Sequence, residues 1–276
     1  MVYLIPASLT EALRLVGEGQ ATLLAGGTDV YPAMTSRDLP DHIVDISSLD
    51  ELRGIHTSDD GVSIGGLTTW RDIANAALPP AFDGLRRAAR QIGGVQIQNA
   101  GTIAGNLCNA SPAADSVPPL LTLDARVNLS SASGQRQVRL DELLLGPRKT
   151  ARARDEILTS VFIPQLAKGA NSSFEKLGAR AYLVISVAMV ACLLWRDRKG
   201  RIAEARIAVG AASPVAKRLH GLEEDLVGQD PEMPTIQVAH LEPLAPVDDA
   251  RGSAEYRLAA IKELCKRAIG SAARVV

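Results

Sequence analysis

Asn99-Ala-Gly-Thr-Ile-Ala-Gly-Asn-Leu-Cys-Asn-Ala-Ser-Pro-Ala-Ala-Asp115 gathers glycines, small hydroxyl and amide residues, one proline and one acid into a single segment between apolar runs. Glycine gives up more backbone entropy on folding than other residues, so such a run is costly as plain structure. It makes sense where the main chain comes close to a ligand and offers its own N–H groups, and phosphate is the usual ligand. A second stretch of this kind, Ala25-Gly26-Gly27-Thr28-Asp29, lies about one small subdomain earlier. Alone, that pentapeptide reads equally well as a turn with a helix cap. Two such loops on one chain point to a shared site.

The surroundings place both loops at strand ends. Val2 to Ile5 reads as a strand stopped by Pro6, and Ser8 with Glu11 as a capping box opening a helix. Leu9, Ala12, Leu13 and Val16 form one apolar face of that helix, and Ala21 to Ala25 reads as a buried strand. The unit is β-α-β, and Gly26 to Asp29 follows its second strand, where open α/β arrangements bind ligands. His42 to Ile46 and Gly61 to Gly66 read as further strands. Thr68 or Thr69 caps a helix through Ala76, and Phe82 to Ile92 is the next helix, stopped by Gly93-Gly94. Beyond Asp115, Val117 to Asp124 continues as an apolar helix. Arg126 to Leu129 and Gln137 to Leu140 form a hairpin, and Ile157 to Ile163 is a strand closed by Pro164.

The polar patch Gln165 to Ser173 marks the domain boundary. After it the texture changes. Phe174 to Leu177, Val184 to Trp195 and Ile202 to Val209 read as antiparallel strands, the last two joined by a turn at Arg198-Lys199-Gly200. Helices follow near Pro214 to Leu226, near Thr235 to Leu241 and from Ser253 to Ile269.

The totals exclude several classes. With 276 residues, two domains are expected. Thirty Lys plus Arg against 31 Asp plus Glu leave a net charge of −1, which argues against nucleic acid or an anionic membrane as partner. The longest uncharged run near the C-terminal half, Ala181 to Trp195, is shorter than the roughly 20 residues of a membrane span. The opening residues show no signal-peptide pattern, so a cytoplasmic location is expected. Cys108, Cys192 and Cys265 stand far apart, too few and too scattered for an iron–sulfur cluster. The four histidines match no metal-ligand spacing.

Neither the dinucleotide fingerprint G-x-G-x-x-G nor a Walker loop is present, and no nucleophile–base pair stands out. A dinucleotide here would be held by two glycine-rich loops, each donating backbone N–H groups to one side of a pyrophosphate. Neither loop contains Lys or Arg, so that cradle reads as neutral dipoles. Asp115 reads either as an acceptor for sugar hydroxyls or as a helix cap. Lys176 reads either as a surface lysine with a buried stem or as a cation near an electron-rich ring.

At this point the residues resemble a known family. Ala25-Gly-Gly-Thr-Asp29, and Asn99-x-Gly-Thr-Ile-x-Gly-Asn106 followed by Ser111-Pro-x-x-Asp115, resemble the two flavin loops of FAD-binding medium subunits of molybdenum hydroxylases, the xanthine and carbon-monoxide dehydrogenase flavoproteins. Pro6-x-Ser-Leu-x-Glu-Ala-Leu13, Phe174-x-Lys-x-x-x-Arg180 and Gly252-Ser-Ala-Glu-Tyr-Arg257 are similar to theirs too, in the right order along nearly the whole chain. One departure is Ala104, where family members often carry a second glycine.

The resemblance implies an α+β fold. Its FAD-binding domain would be of the p-cresol methylhydroxylase/vanillyl-alcohol-oxidase type over residues 1–168, built of two α/β subdomains at about 1–55 and 56–168. A C-terminal domain over residues 171–276, a three-stranded antiparallel sheet plus a helical bundle, would follow. The pyrophosphate of FAD would rest on Leu23, Leu24, Ala25, Gly26, Gly27, Thr28, Asp29 and Val30, and on Thr102, Ile103, Ala104, Gly105 and Asn106. Asp115 would stand near a sugar or ribityl hydroxyl, and Ile92, Leu158 and Lys176 at the isoalloxazine. Bulky side chains at Gly26, Gly27 or Gly105 would empty the site and leave the chain folded.

By the same resemblance, the chain would pass electrons from the [2Fe-2S] clusters of a small iron–sulfur subunit to an external acceptor. The substrate would be oxidised at the molybdenum cofactor of a large subunit, the whole forming a dimer of heterotrimers. Two other readings stand beside this one: a stand-alone FAD-dependent oxidoreductase of similar fold, and a non-catalytic nucleotide-binding assembly module.

Overall fold

Val2–Leu4 (β1), Leu9–Gly17 (α1) and Thr22–Leu24 (β2) form the expected β-α-β unit in the computed structural model, which describes residues 2–19, 21–34 and 40–274. The helix starts where its sequence says. The Ser8 hydroxyl accepts from the Glu11 N–H at 3.2 Å, but the Glu11 carboxylate reaches back to the Ala7 N–H rather than that of Ser8. Ala12 and Val16 are buried against Val44, Ile46, Leu49 and Leu52. After the five-residue helix Val30–Met34 (α2), His42–Asp45 (β3) inserts between β1 and β2, parallel to both, giving the order β1-β3-β2.

A five-stranded antiparallel sheet organises the second unit. Ile55–Ser58 (β4), which the sequence reading missed, pairs with Gly61–Gly65 (β5). A helical stretch follows: Trp70–Asn75 (α3), Asp83–Gln91 (α4), Val95–Ala100 (α5), Ile103–Asn109 (α6) and Val117–Thr122 (α7). Thr69, not Thr68, caps α3 through a reciprocal box with Asp72. The segment read as a loop between 99 and 115 is thus partly helical, with Thr102 as N-cap of α6.

The sheet resumes with Arg126–Ser131 (β6) and Gly134–Arg139 (β7). The short helix Leu140–Leu143 (α8) and the hairpin of Leu144–Gly146 (β8) and Lys149–Thr150 (β9) come before the central strand Ile157–Pro164 (β10). Its order is β4-β5-β10-β6-β7. Val62, Ile64, Val127, Leu129, Val161 and Ile163 meet α3, α4 and α7 in one core.

The third sheet explains how the C-terminal part is attached. Asn171–Leu177 (β11), Ala188–Arg196 (β12) and Ile202–Gly210 (β13) are the three expected antiparallel strands, joined at one edge by the two-residue strand Lys217–Arg218 (β14). That pairing takes the first part of the helix expected from Pro214, leaving His220–Asp225 (α9). Near Thr235 the chain makes only the short 3₁₀ turn Ala239–Leu241. The expected helical bundle therefore reduces, among the described residues, to α9 and the 20-residue helix Ala254–Ala273 (α10), which Ser253 caps.

Strand β12 is buried on both faces because side chains alternate across a sheet. Ala188, Val190, Cys192 and Leu194 pack with α10. Met189 and Ala191 pack with Ala88 of α4, while Leu193 and Trp195 join the core of the second unit. Burial of each large apolar side chain is worth about 1.5–3 kcal/mol, so this face fixes the two parts against each other. Polar ties reinforce it: Asp124 pairs with Arg206 at 2.5 Å and with Arg218 at 2.7 Å.

Candidate functional site

The two glycine-rich segments face each other across a cleft of about 830 Å³. That size lies within the range of about 300–1,000 Å³ typical of small-molecule and cofactor sites. Leu23, residues 25–30, Ile92, Thr102, residues 104–106, Asp115 and Leu158 line it. Leu24 and Ile103 are buried in the wall behind, and Lys176 stands behind Asp115. The register of β10 on β6 shifts between Leu158, which lines the cleft, and Ser160.

The first segment offers its main chain to the cleft. Among the described residues, no acceptor stands against the N–H groups of Gly26, Gly27, Thr28 or Asp29. Successive undirected N–H groups of this kind form an anion-binding concavity. Gly27 has φ +70°, which an L side chain rarely adopts. Gly26 is required for another reason: a Cβ there would sit 1.8 Å from the Ala100 carbonyl oxygen, in the second segment. The expectation that a bulky residue at Gly26 leaves the fold intact is therefore corrected. Gly26 holds the two walls together, and a hydrogen bond from the Asn109 amide to Asp29 at 2.8 Å ties them again.

The second segment spends its N–H groups on the protein itself. Ile103 donates to Thr68 O, Ala104 to Gly66 O, Gly105 to the Thr102 hydroxyl and Asn106 to Thr102 O, all at 3.0–3.1 Å. It is a wall rather than a second donor loop over residues 103–106. What it presents is surface, Ala104 and Gly105, and the Asn106 side chain. The Asn106 carbonyl oxygen accepts the Ser116 hydroxyl at 2.5 Å, and its NH₂ has no partner among the described residues. A Cβ on Gly105 would meet only the Thr102 hydroxyl, at 2.9 Å.

Asp115 closes the far end. It neither caps a helix nor points free: Oδ2 accepts from Lys176 Nζ at 2.6 Å and Oδ1 from the Ser186 hydroxyl at 2.5 Å. Lys176 also donates to Gln91 O, the carbonyl end of α4. The lysine is thus buried and paired, not a surface residue. Burial pushes the Asp115 carboxyl above the usual carboxylate range, and the bonds from Lys176 and Ser186 offset part of that. Arg251 and the buried Arg257, from the stretch Gly252 to Arg257 and just before it, hold Ser186 O and Val187 O and so fix this end.

Sequence reasoning missed several side chains on the cleft wall. Arg148 and Arg152 line it from the β8–β9 side, Ser186 from the segment before β12, and Cys108 from α6. Burial pushes the Cys108 thiol up, with Arg152 offsetting part of the shift. The cradle is therefore not purely neutral. The arginines could not be found from the loops because they lie some 40 residues further along the chain. Arg148 carries one signal, its position after Gly146-Pro147 in a tight turn.

Residues 1–166 match the family described as the FAD binding domain in molybdopterin dehydrogenase, and residues 173–272 the CO dehydrogenase flavoprotein C-terminal domain. The chain belongs to the FAD-binding flavoprotein subunits of molybdenum hydroxylases, which are oxidoreductases. It is 35% identical over 274 residues to the glyceraldehyde dehydrogenase medium chain of Sulfolobus acidocaldarius, covering 96% of each chain. It is equally 35% identical to a putative xanthine dehydrogenase FAD-binding subunit of Escherichia coli, covering 96% of this chain and 94% of that one. The fold superposes on a chain of a Cu,Mo-CO dehydrogenase with TM-score 0.91 at 29% identity, covering 99% and 97%. For quinoline 2-oxidoreductase from Pseudomonas putida the TM-score is 0.89 at 26% identity, with the same coverage.

Proposed function

We propose that this chain is the FAD-binding electron-transfer subunit of a heteromeric molybdenum hydroxylase. It takes electrons from the [2Fe-2S] clusters of a small subunit, whose large partner carries the molybdenum cofactor, and delivers them to an external acceptor. The observation that carries the reading is the cleft itself. One wall offers undirected N–H groups at Gly26 to Asp29, the other a close surface at Ala104 and Gly105, and the chain matches the family along nearly its whole length.

The residues fit FAD. Gly26, Gly27, Thr28 and Asp29 would hold the pyrophosphate from one side, with Leu23, Leu24, Ala25 and Val30 shaping that strand end and its exit. Thr102, Ile103, Ala104, Gly105 and Asn106 would shape the other side. Ile92 and Leu158 would supply apolar contact, and Asp115 would hold a ribityl or sugar hydroxyl on lone pairs left by Lys176 and Ser186. Lys176 would add positive charge behind Asp115, an electrostatic influence on the flavin ring. Bound flavin supplies the means of accepting single electrons and releasing a pair. The chain's own part is to exclude water with Ile92 and Leu158 and to fix the cofactor's orientation.

The fold would be the vanillyl-alcohol-oxidase type over residues 1–168, with subdomains at about 1–55 and 56–168 and a C-terminal domain over 171–276. The assembly would be a cytoplasmic dimer of heterotrimers. Affinity purification through a tag on this chain tests the reading. A large molybdenum-containing chain, a small iron–sulfur chain and FAD are expected to co-purify. Substrate-driven bleaching of the isolated chain would instead make it a stand-alone flavoenzyme.

A further inference from the structure

The cleft has two ends of different character. At one, Ile92 belongs to the core of the second unit, and Asp115 is neutralised by Lys176. At the other, Ile157 packs with Leu67 and with Ile46 of the first unit, and Arg152 holds the carbonyl oxygen of Glu156 beside it. Arg148 is nearby, donating to the Asn109 side chain, which in turn binds Asp29. Among the described residues neither arginine has a carboxylate ion-pair partner: their bonds go to an amide oxygen and to main-chain carbonyls. Two guanidinium groups thus line the cleft with no carboxylate within ion-pair distance of either among the described residues; the Glu156 carboxylate acts on Arg152 only from further away.

Arg148 is also placed against its backbone preference. Pro147 and Arg148 are the two central residues of the β8–β9 hairpin, and Arg148 has φ +60°. After a proline, that second position ordinarily takes glycine or asparagine. An L residue there costs about 1–2 kcal/mol. The chain accepts this cost and thereby puts a guanidinium on the cleft wall.

We infer that Arg148 and Arg152 form the anion-recognising end of the cleft and bind the adenosine-diphosphate half of the cofactor, so that the site selects a flavin dinucleotide over a mononucleotide. The inference rests on the FAD reading above. Guanidinium groups bind phosphate oxygens through charge-assisted hydrogen bonds, stronger than neutral ones.

The test titrates apo-protein with ADP, FAD and riboflavin, using wild type, Arg148→Gly and Arg152→Gln. Wild type is expected to bind ADP and FAD. Each substitution should weaken both by about tenfold and flatten the salt dependence, while riboflavin, which lacks phosphate, binds unchanged. Arg148→Gly should keep or raise the thermal midpoint of the apo-protein, because it relieves the turn. A loss of ADP affinity with no loss of stability is not the signature of a merely structural arginine. Unchanged ADP and FAD affinity in both variants would overturn the inference and leave the FAD reading standing. Failure of wild type to bind FAD would overturn the FAD reading itself.

Discussion

The two glycine-rich segments look alike in sequence and do different physical work. Around Gly26 the N–H groups are left undirected, and glycine is needed because a Cβ would collide with the Ala100 carbonyl. Around Gly105 the N–H groups are spent on the Gly66 and Thr68 carbonyls and on capping and helix bonds, and a Cβ would meet only the Thr102 cap hydroxyl, at 2.9 Å. A glycine can thus mark a backbone contact within the protein or a surface kept low for a ligand. Composition does not distinguish the two.

Substitution separates them most sharply at Gly26. Gly26→Ala should destabilise the chain by more than about 4 kcal/mol, because backbone on both sides of the collision must move. Chemical denaturation of the apo-protein measures it. A folded Gly26→Ala protein of near wild-type stability would remove the distinction between the loops.

The far end of the second segment should come next. Asp115→Asn leaves Lys176 buried without its anion, at a cost of about 3 kcal/mol. Adding Lys176→Met should restore part of that loss in the double variant, and a thermodynamic cycle reads the coupling. Strict additivity of the two single effects would show that the pair does not tie the units.

The hairpin side gives a smaller, pH-dependent effect. The Arg136 guanidinium, followed by the Ala153 N–H, holds the Glu156 carboxyl below its ordinary value. A depressed pKa contributes stability that is present above the unfolded value of about 4.3 and lost as pH falls through the folded one. Wild type should therefore lose about 1.5 kcal/mol below that window, and Glu156→Gln should show a flatter acid limb. Parallel acid limbs in the two proteins would contradict the assignment.

The smallest change in stability belongs to Gly105. Gly105→Ala should change the stability of the apo-protein by less than about 1 kcal/mol, because the gain of alanine over glycine in α6 is offset by the 2.9 Å contact of its Cβ with the Thr102 cap hydroxyl. The same methyl, facing the cleft, should weaken FAD binding several-fold. Unchanged affinity would mean that this surface is not approached by the cofactor.

Much of this was legible in the sequence. Ser8 and Ser253 announced their helices because N-cap chemistry is local. Strand β12 announced itself by an apolar run long enough for both faces. Helix α6 was hidden because glycine and asparagine obscure its period, and its start depends on Thr102 alone. Strand β4 was hidden because Ile55–Ser58 has one apolar residue and relies on β5 for pairing. Most of the expected cofactor residues do line one cleft, yet Lys176 stands behind Asp115, a relation set by packing between the two parts of the chain. Arg148 and Arg152 escaped notice because only the tertiary fold brings them to the loops.

The most direct measurement is an equilibrium titration of the apo-chain with FAD, followed by flavin fluorescence and checked by the flavin released on denaturing the purified holo-protein. Saturable binding at one FAD per chain is expected, lost when Gly105 is replaced by a bulky residue in a protein that remains folded. A folded wild-type chain that binds no FAD, or a Gly105→Val chain that binds it as tightly as wild type, would contradict it.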